Sequence, residues 1–394
     1  MVTRFIPACW RPSADLVDIV RGLTPLADDI DGCFARGEPN DEAIAVLARA
    51  GLLGLTLPTR YGGQGRDYTA LAAVCEELGA IDTSHQVSLT VHLALAAMCM
   101  FQWGSEAQRD QWLPALARGE RIGTFGLTEP GAGSDVGALR MRAHRVPGGY
   151  EISGEKSWIS ATNQATLFIL FATIDPALRH KGITAFIVPR ESAGLSTTVL
   201  NGKLGLRAGD TGAVVCDRVY VPDAAVLGRP GEGFAVALSA LGNGLFTVGC
   251  GALGIARACR EWTAGFLRDA GDDGRGLDGA LLAAMVAREE SARLLLARAA
   301  SRKNDGMPNA SETGLAKWRA AEAGFANASD ALTIWNSRAA GEQPTLLRHL
   351  FNAKGAVIYG GTSEIHQTMQ GAYALGDRVE RPFRCPSPSA RDLR

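Results

Sequence analysis

No Cys-x-x-Cys pair occurs among the eight cysteines of this 394-residue chain. Cys9, Cys33, Cys75, Cys99, Cys216, Cys250, Cys259 and Cys385 lie far apart, several of them in apolar stretches. Zinc-ligand spacing is missing, and histidines are too few nearby to complete a metal site. The cysteines therefore read as reduced, mostly buried thiols of a cytosolic protein. Net charge is nearly absent too: 40 basic against 41 acidic residues leave −1, so no global field recruits nucleic acid or an anionic membrane. No basic run interleaved with aromatics supports nucleic-acid binding. The stretch Met1 to Asp15 has no apolar core of signal-peptide length, and no apolar run reaches the length of a membrane span. Internal repeats and low-complexity segments are absent. The expectation is a cytoplasmic protein with no metal, no nucleic acid and no membrane among its partners.

What is present is an ordinary core-forming composition, 46% hydrophobic and 21% charged, long enough for two or three domains. Residues 14 to 122 read as helical. Asn40 can cap a helix whose Ile44, Leu47 and Ala48 share a face, with Gly51 past its end. The segment Gln86 to Trp103 is apolar all round and so reads as a buried helix. Ser105 with Gln108 forms a capping box, and Pro114 should bend or end the helix that follows. From about 123 the pattern turns to short β-branched runs, with Val146-Pro-Gly-Gly-Tyr150 as a hairpin signal. Near Phe234 it returns to long helices. The class is α+β: an N-terminal helical domain over 1–122, a middle β-barrel or sandwich domain over 123–232, a C-terminal four-helix bundle over 233–382, and a frayed tail over 383–394.

One stretch carries chemistry. Phe125 to Asp135 reads Phe-Gly-Leu-Thr-Glu-Pro-Gly-Ala-Gly-Ser-Asp, and Lys156 to Ser160 reads Lys-Ser-Trp-Ile-Ser. Pro130 fixes one torsion, and Gly131 and Gly133 permit conformations closed to other residues. Such a turn presents backbone N–H groups and the hydroxyls of Thr128 and Ser134 together, which suits a flat polar ligand with a phosphate-bearing tail.

With these motifs in view, the chain resembles the acyl-CoA dehydrogenase family of flavoproteins over about residues 20 to 380. The resemblance rests on Tyr61-Gly-Gly, Trp103-Gly104, Leu113 to Glu120, Leu127 to Asp135, Gly154 to Ser160, Lys203-x-Gly-x-Arg207, Val219 to Gly228 and Ile358-Tyr-Gly-Gly-Thr-Ser-Glu-Ile365. It implies FAD as cofactor, a homodimer or homotetramer, an acyl-CoA or acyl-carrier-protein substrate, and a flavoprotein or oxygen as electron acceptor. It further implies that Phe125 and Leu127 line the flavin ring, Thr128 bonds its pyrimidine edge, Trp158 packs against it and Ser160 reaches its N5 side. Ser134 would contact the pantetheine or carrier arm. Thr362 and Glu364 would approach the adenosine-diphosphate half, and Arg268 stands about two residues off the register of an arginine that reaches a neighbouring subunit's FAD.

The departures are as informative. The family's glutamate base occupies a Tyr-Glu-Gly-Thr motif, which here is Tyr359-Gly360-Gly361-Thr362. The rarer alternative position on an earlier helix aligns with Gly244. Family contacts to CoA align with Gly242 and Leu245, a cross-subunit phenylalanine with Asp273, and a Gly-rich segment with Asn336 to Ala339. Two glycines in place of side chains would widen the substrate pocket. His92 and Tyr359 are the candidate substitute bases. The expected function is FAD-dependent oxidation of an acyl thioester, CoA- or carrier-bound, in a specialised biosynthetic pathway. The alternatives are direct hydride loss from a carrier-bound hydroxyacyl or aldehyde group, a catalytically weak partner subunit, and a flavin monooxygenase on the same fold.

Overall fold

The structure, a computed structural model, describes Leu16, Ile19 and residues 22–394 apart from 41, 273, 340 and 381. Cys9, Asp273 and the Met1 to Asp15 stretch lie outside the described residues. Among the residues described from 22 on, the helices before the sheet are α1 (Ile30–Arg36), α2 (Ala43–Arg49), α3 (Tyr68–Ile81), α4 (Thr83–Trp103) and α5 (Glu106–Arg118). Asn40 accepts from the Glu42 N–H at 3.1 Å ahead of α2, and Gly51 takes a left-handed φ of 68° after it. Both halves of the Ser105–Gln108 capping box form at the start of α5. Pro114 neither ends that helix nor marks its boundary. The helix runs on to Arg118 and closes at Gly119, φ 73°. Proline deprives only the Asp110 carbonyl of its partner, and Asp110 is exposed, where water can substitute.

The sheet follows: β1 (Gly123–Gly126), β2 (Arg142–Val146), β3 (Gly149–Ser160), β4 (Leu167–Thr173), β5 (Ile183–Pro189), β6 (Leu195–Val199), β7 (Thr211–Pro222) and β8 (Val226–Leu227). Its order is β6-β7-β3-β2-β4-β5-β8, with β1 lying parallel to β4 off this path. The β2–β3 hairpin turns at Pro147 and Gly148, the latter at φ 77°, as a two-residue turn with glycine second requires. Strand β4 is buried on both faces. Leu167, Ile169 and Phe171 join the helical core, and Phe168, Leu170 and Ala172 join the sheet's own core. That explains why it reads as a continuous apolar run rather than an alternating one. Phe125 and Gly126, which open the ligand-cradling stretch, lie in the buried strand β1.

The C-terminal helices are α6 (Gly233–Asp269), α7 (Gly276–Asn304), α8 (Ala310–Arg338), α9 (Pro344–Ala356) and α10 (Ser363–Leu375). Helix α6 crosses α3 at close range. A Cβ on Gly79 would stand 2.1 Å from the Gly251 carbonyl oxygen, and one on Gly254 equally near that of Glu76. Only glycine allows backbones to approach so closely. Among the described residues, two helices are long and apolar enough to cross a membrane, contrary to the sequence expectation: Thr83–Trp103 and Gly233–Asp269. Their apolar windows are 94% and 78% buried inside the protein, so here this composition belongs to core helices.

The tail is docked, not frayed. Phe383 packs edge-on against Trp103, Arg384 pairs with Glu232 at 2.7 Å, and Gln102 and Tyr68 donate to the carbonyls of Cys385 and Pro388. Leu393 is fully buried in the main core. The proline- and serine-rich composition masked this, because the anchors are single residues and backbone carbonyls. Leu393→Ala should therefore cost about 2–4 kcal/mol, as for other large-to-small core changes, read as a lower urea midpoint.

Candidate active site

The stretch 125–160 is built on one buried ion pair. Lys156 Nζ lies 2.8 Å from Glu129 Oε1 and also donates to the Leu127 carbonyl at 3.0 Å. The Glu129 carboxylate accepts from the backbone N–H groups of Arg140 and Met141 as well. Burial pushes the Lys156 ammonium down to about 8, against the pull of Glu129. Sequence reasoning quoted both residues within their motifs and gave neither a role. The Glu129–Ala132 backbone pair closes the turn around Pro130. Gly131 and Gly133 do not take left-handed φ values, and a Cβ on either would meet no protein atom within 4 Å. Their backbone is therefore unstrained, and what they contribute is open room above the turn rather than unusual torsions.

Opposite the turn, β3 loses register with β7 between Lys156 and Ile159. At this bulge Trp158 takes φ 57° and is 62% exposed; Ala161 follows at φ 56°. A left-handed conformation at a tryptophan costs of order 1–3 kcal/mol and persists only where neighbours enforce it. Here the enforcing neighbours are Lys156 on one side and the Thr128 carbonyl, which accepts from Ser157 N at 3.0 Å, on the other. The Ser157 hydroxyl is buried without a protein partner. Phe125 and Leu127 are buried beneath, with Phe125 4.8 Å from Phe171 between ring centroids. Thr124 donates to the Ser160 carbonyl at 2.7 Å, which joins β1 to the end of β3. Thr128 and Ser160 are half-buried and Ser134 is exposed.

The second wall comes from far along the chain. Tyr359 packs with Val87, Val91, Leu95, Ala161 and Leu206. Gly360 and Gly361 take φ values of 64° and 83°. A Cβ on Gly360 would lie 3.4 Å from Leu245 Cδ2 and 3.9 Å from both Val248 and Lys317. Lys317 is fully buried, donates to the Gly361 carbonyl at 2.7 Å, and has its ammonium pushed down to about 7 by burial. His366, one turn into α10, faces the Gly360 carbonyl at 3.3 Å and is held neutral, down to about 4, by burial and the neighbouring Lys317. No sequence signal marked Lys317 or His366, since their meeting with Gly360 joins α8 to α10.

The remaining candidates are placed as follows. His92 sits in a π-helical stretch of α4, Thr90–Ala97, and is fully buried. Its Nδ1 accepts from Gly123 N and its Nε2 donates to the Leu116 carbonyl, both at 3.1 Å, and burial lowers it to about 4. Neither ring nitrogen is left to take a substrate proton, since both are engaged by backbone groups. Burial, with Asp82 nearby, pushes the Tyr359 phenol upward and keeps it protonated. Gly244 opens no room, because a Cβ there would stand 2.7 Å from Leu95 Cδ2. The expected widening of the pocket by two glycines thus fails at this one, since Leu95 fills the space. Thr362 caps α10, accepting from Ile365 N. Glu364 lies exposed in its first turn, with its carboxyl lowered by its own backbone N–H and by Thr362. Arg268 is exposed in the last turn of α6. Arg338, within the altered Asn336 to Ala339 segment, is bound inside the chain by Asp272 and Asp278.

Three family descriptions match the chain in order: "Acyl-CoA dehydrogenase, N-terminal domain" over residues 19–120, "middle domain" over 124–219 and "C-terminal domain" over 231–375. An acyl-CoA dehydrogenase of Bacillus subtilis is 33% identical over 340 residues, 85% of this chain and 90% of that protein. The chain belongs to the acyl-CoA dehydrogenase family. Among solved structures, butyryl-CoA dehydrogenase from Megasphaera elsdenii superposes with a TM-score of 0.87 at 29% identity, covering 93% of this chain and 99% of that one. The prolyl acyl carrier protein oxidase AnaB gives a TM-score of 0.86 at 25% identity, covering 92% and 100%.

Membership makes the protein an FAD-dependent oxidoreductase of the acyl-CoA dehydrogenase type, and the residues present fit that cofactor. An exposed indole fixed in a strained backbone, a partnerless buried Ser157 hydroxyl, a floor of Phe125 and Leu127, and a turn with open space above Gly131 and Gly133 suit a flat ring. Another partnerless buried hydroxyl, Ser363, stands at the start of α10 beside Thr362.

Two predictions follow from the buried charges. Glu129→Gln or Lys156→Met should each cost about 3–5 kcal/mol, while the double variant loses less than the sum. Urea unfolding of all three measures the coupling. Lys317 binds its proton less tightly folded than unfolded, so its burial penalty is full below about pH 7 and fades as pH rises towards 10.5. The stability of Lys317→Met relative to the unsubstituted protein should therefore fall as urea titrations move from pH 7 to pH 10. A pH-independent difference would contradict the assignment.

Proposed function

We propose that this protein oxidises an acyl thioester carried on a phosphopantetheine arm, with the arm presented by a carrier protein. The observation that carries the reading is Trp158. It is an exposed indole held at φ 57° beside a buried ion pair, and it makes one wall for a flat ring. FAD, when bound, supplies hydride acceptance. The chain's residues do the rest. Phe125 and Leu127 exclude water from below. Tyr359, Val87, Val91 and Ala161 form an apolar wall, with the phenol kept protonated as a hydrogen-bond donor. The AnaB relative acts on a carrier-protein substrate, and the family's CoA-contact positions are Gly242 and Leu245 here.

A second reading rests on the base. Gly360 bears no side chain, Gly244 abuts Leu95 and His92 is fully engaged. A carrier-bound hydroxyacyl or aldehyde-hydrate group would need no carbon-acid base, because its proton leaves from oxygen.

Anaerobic flavin bleaching separates the readings. Saturated acyl thioesters should bleach the flavin under the first, and only hydroxyacyl or aldehyde-bearing thioesters under the second. Gly360→Glu should raise bleaching by saturated acyl thioesters by about 10²-fold or more, the usual worth of a general base. The left-handed φ at 360 should make that variant less stable by about 1–2 kcal/mol. Protein that purifies without flavin and cannot be reconstituted would sink both readings and favour a partner-subunit role.

A further inference from the structure

Immediately after Ser134 the surface becomes cationic. Ser134 and Asp135 lead into the turn Val136–Ala138, which packs against the Pro176–Gly182 segment: a Cβ on Gly137 would lie 3.2 Å from Asp135 Oδ1 and 3.8 Å from an Arg179 nitrogen. Between the two segments lies a cleft of about 440 Å³ whose lining includes Arg140, Arg142 and Arg179. All three are exposed, as are the adjoining His180 and Lys181. Asp135 reaches Arg179 at 3.4 Å, and Asp175 is occupied in capping Ala177 N. Three arginines thus line the cleft and Asp135 is paired with one of them, in a chain whose overall charge is almost nil.

Arg179 also stands at φ 49°, ψ −125°, a conformation rare for any side-chain-bearing residue. Its guanidinium lines the cleft, beside Asp135. The cleft is rigidly tied to the flavin wall. The backbone N–H groups of Arg140 and Met141 bond Glu129, whose carboxylate holds Lys156 two residues before Trp158.

We propose that this arginine face is the docking surface for the acidic face of a carrier protein, placed so that its phosphopantetheine arm runs past Ser134 into the site. The inference rests on the thioester reading above. A carrier protein fits better than a lone phosphate because every cation here is exposed and they spread over two segments. A built phosphate subsite would enclose its donors, whereas dispersed surface charge steers and registers a protein partner.

The test uses the holoenzyme and its Arg140→Glu/Arg142→Glu variant, with Arg140→Ala/Arg142→Ala as a milder check that folding and FAD content survive. Binding of a dye-labelled acidic holo acyl carrier protein, read by fluorescence anisotropy, should weaken about ten-fold or more on charge reversal, and the salt dependence seen with the unsubstituted enzyme should flatten. Turnover of one acyl group is then compared on that carrier, on CoA and on N-acetylcysteamine. The carrier form should lose kcat/KM, and the N-acetylcysteamine form should not. Unchanged carrier binding overturns the docking surface while leaving the thioester reading intact. Loss confined to, or larger for, the CoA form overturns it in favour of a small-phosphate site. Failure of every thioester to bleach the flavin, with carrier binding still lost on reversal, overturns the thioester reading and spares the surface.

Discussion

The contact between Lys156 and Glu129 is the constraint on which the rest of the site depends. A buried ammonium and a buried carboxylate are each costly, and together they are tolerable only if nearly every hydrogen-bonding position is used. Here Glu129 takes the ammonium and two backbone N–H groups, while Lys156 adds the Leu127 carbonyl. The pair therefore nails three segments together: the Thr-Glu-Pro-Gly turn, the start of β2 and the bulge of β3. The strained Trp158 torsion follows from that fixing. So does the placement of Ser134 and the arginine cleft on one side and of the apolar floor on the other.

Around this fixed half, the C-terminal helices supply a half that has been altered. The loop from Tyr359 to Thr362 has two left-handed glycines, Gly360 and Gly361, and is held by Lys317 and His366 through backbone carbonyls. The family's scaffold for a base is therefore intact while the side chain that would act as base is missing. The groups that fix this loop are backbone carbonyls, held by Lys317 and His366. The two walls meet where Tyr359 packs with Ala161, just past the end of β3.

Much of this was legible along the chain. Helix, sheet and helix succeed one another where periodicity changes, and the motif pair at 125–135 and 156–160 does form one wall. The misreadings share a cause. Pro114 inside a continuing helix, the docked tail, the apolar helices taken as too short for a span, and the torsions assigned to Gly131 and Gly133 all depend on what lies opposite in space. Local composition cannot report whether Asp110 meets water, whether Leu393 finds a core, or whether a glycine faces protein or open space.

By itself the sequence determined the class of fold, the family, the motif pair at 125–135 and 156–160, and the glycine at 360. These are matters of residue type and spacing, which backbone preference and side-chain chemistry make local. Only the tertiary structure decided that His92 is spent on two backbone groups and that Leu95 fills the space beside Gly244. It alone brought Lys317 and His366 to Gly360, and gathered Arg140, Arg142 and Arg179 into one cleft beside Ser134. Each of those outcomes is a meeting of residues distant in sequence, and only packing sets which groups share a site.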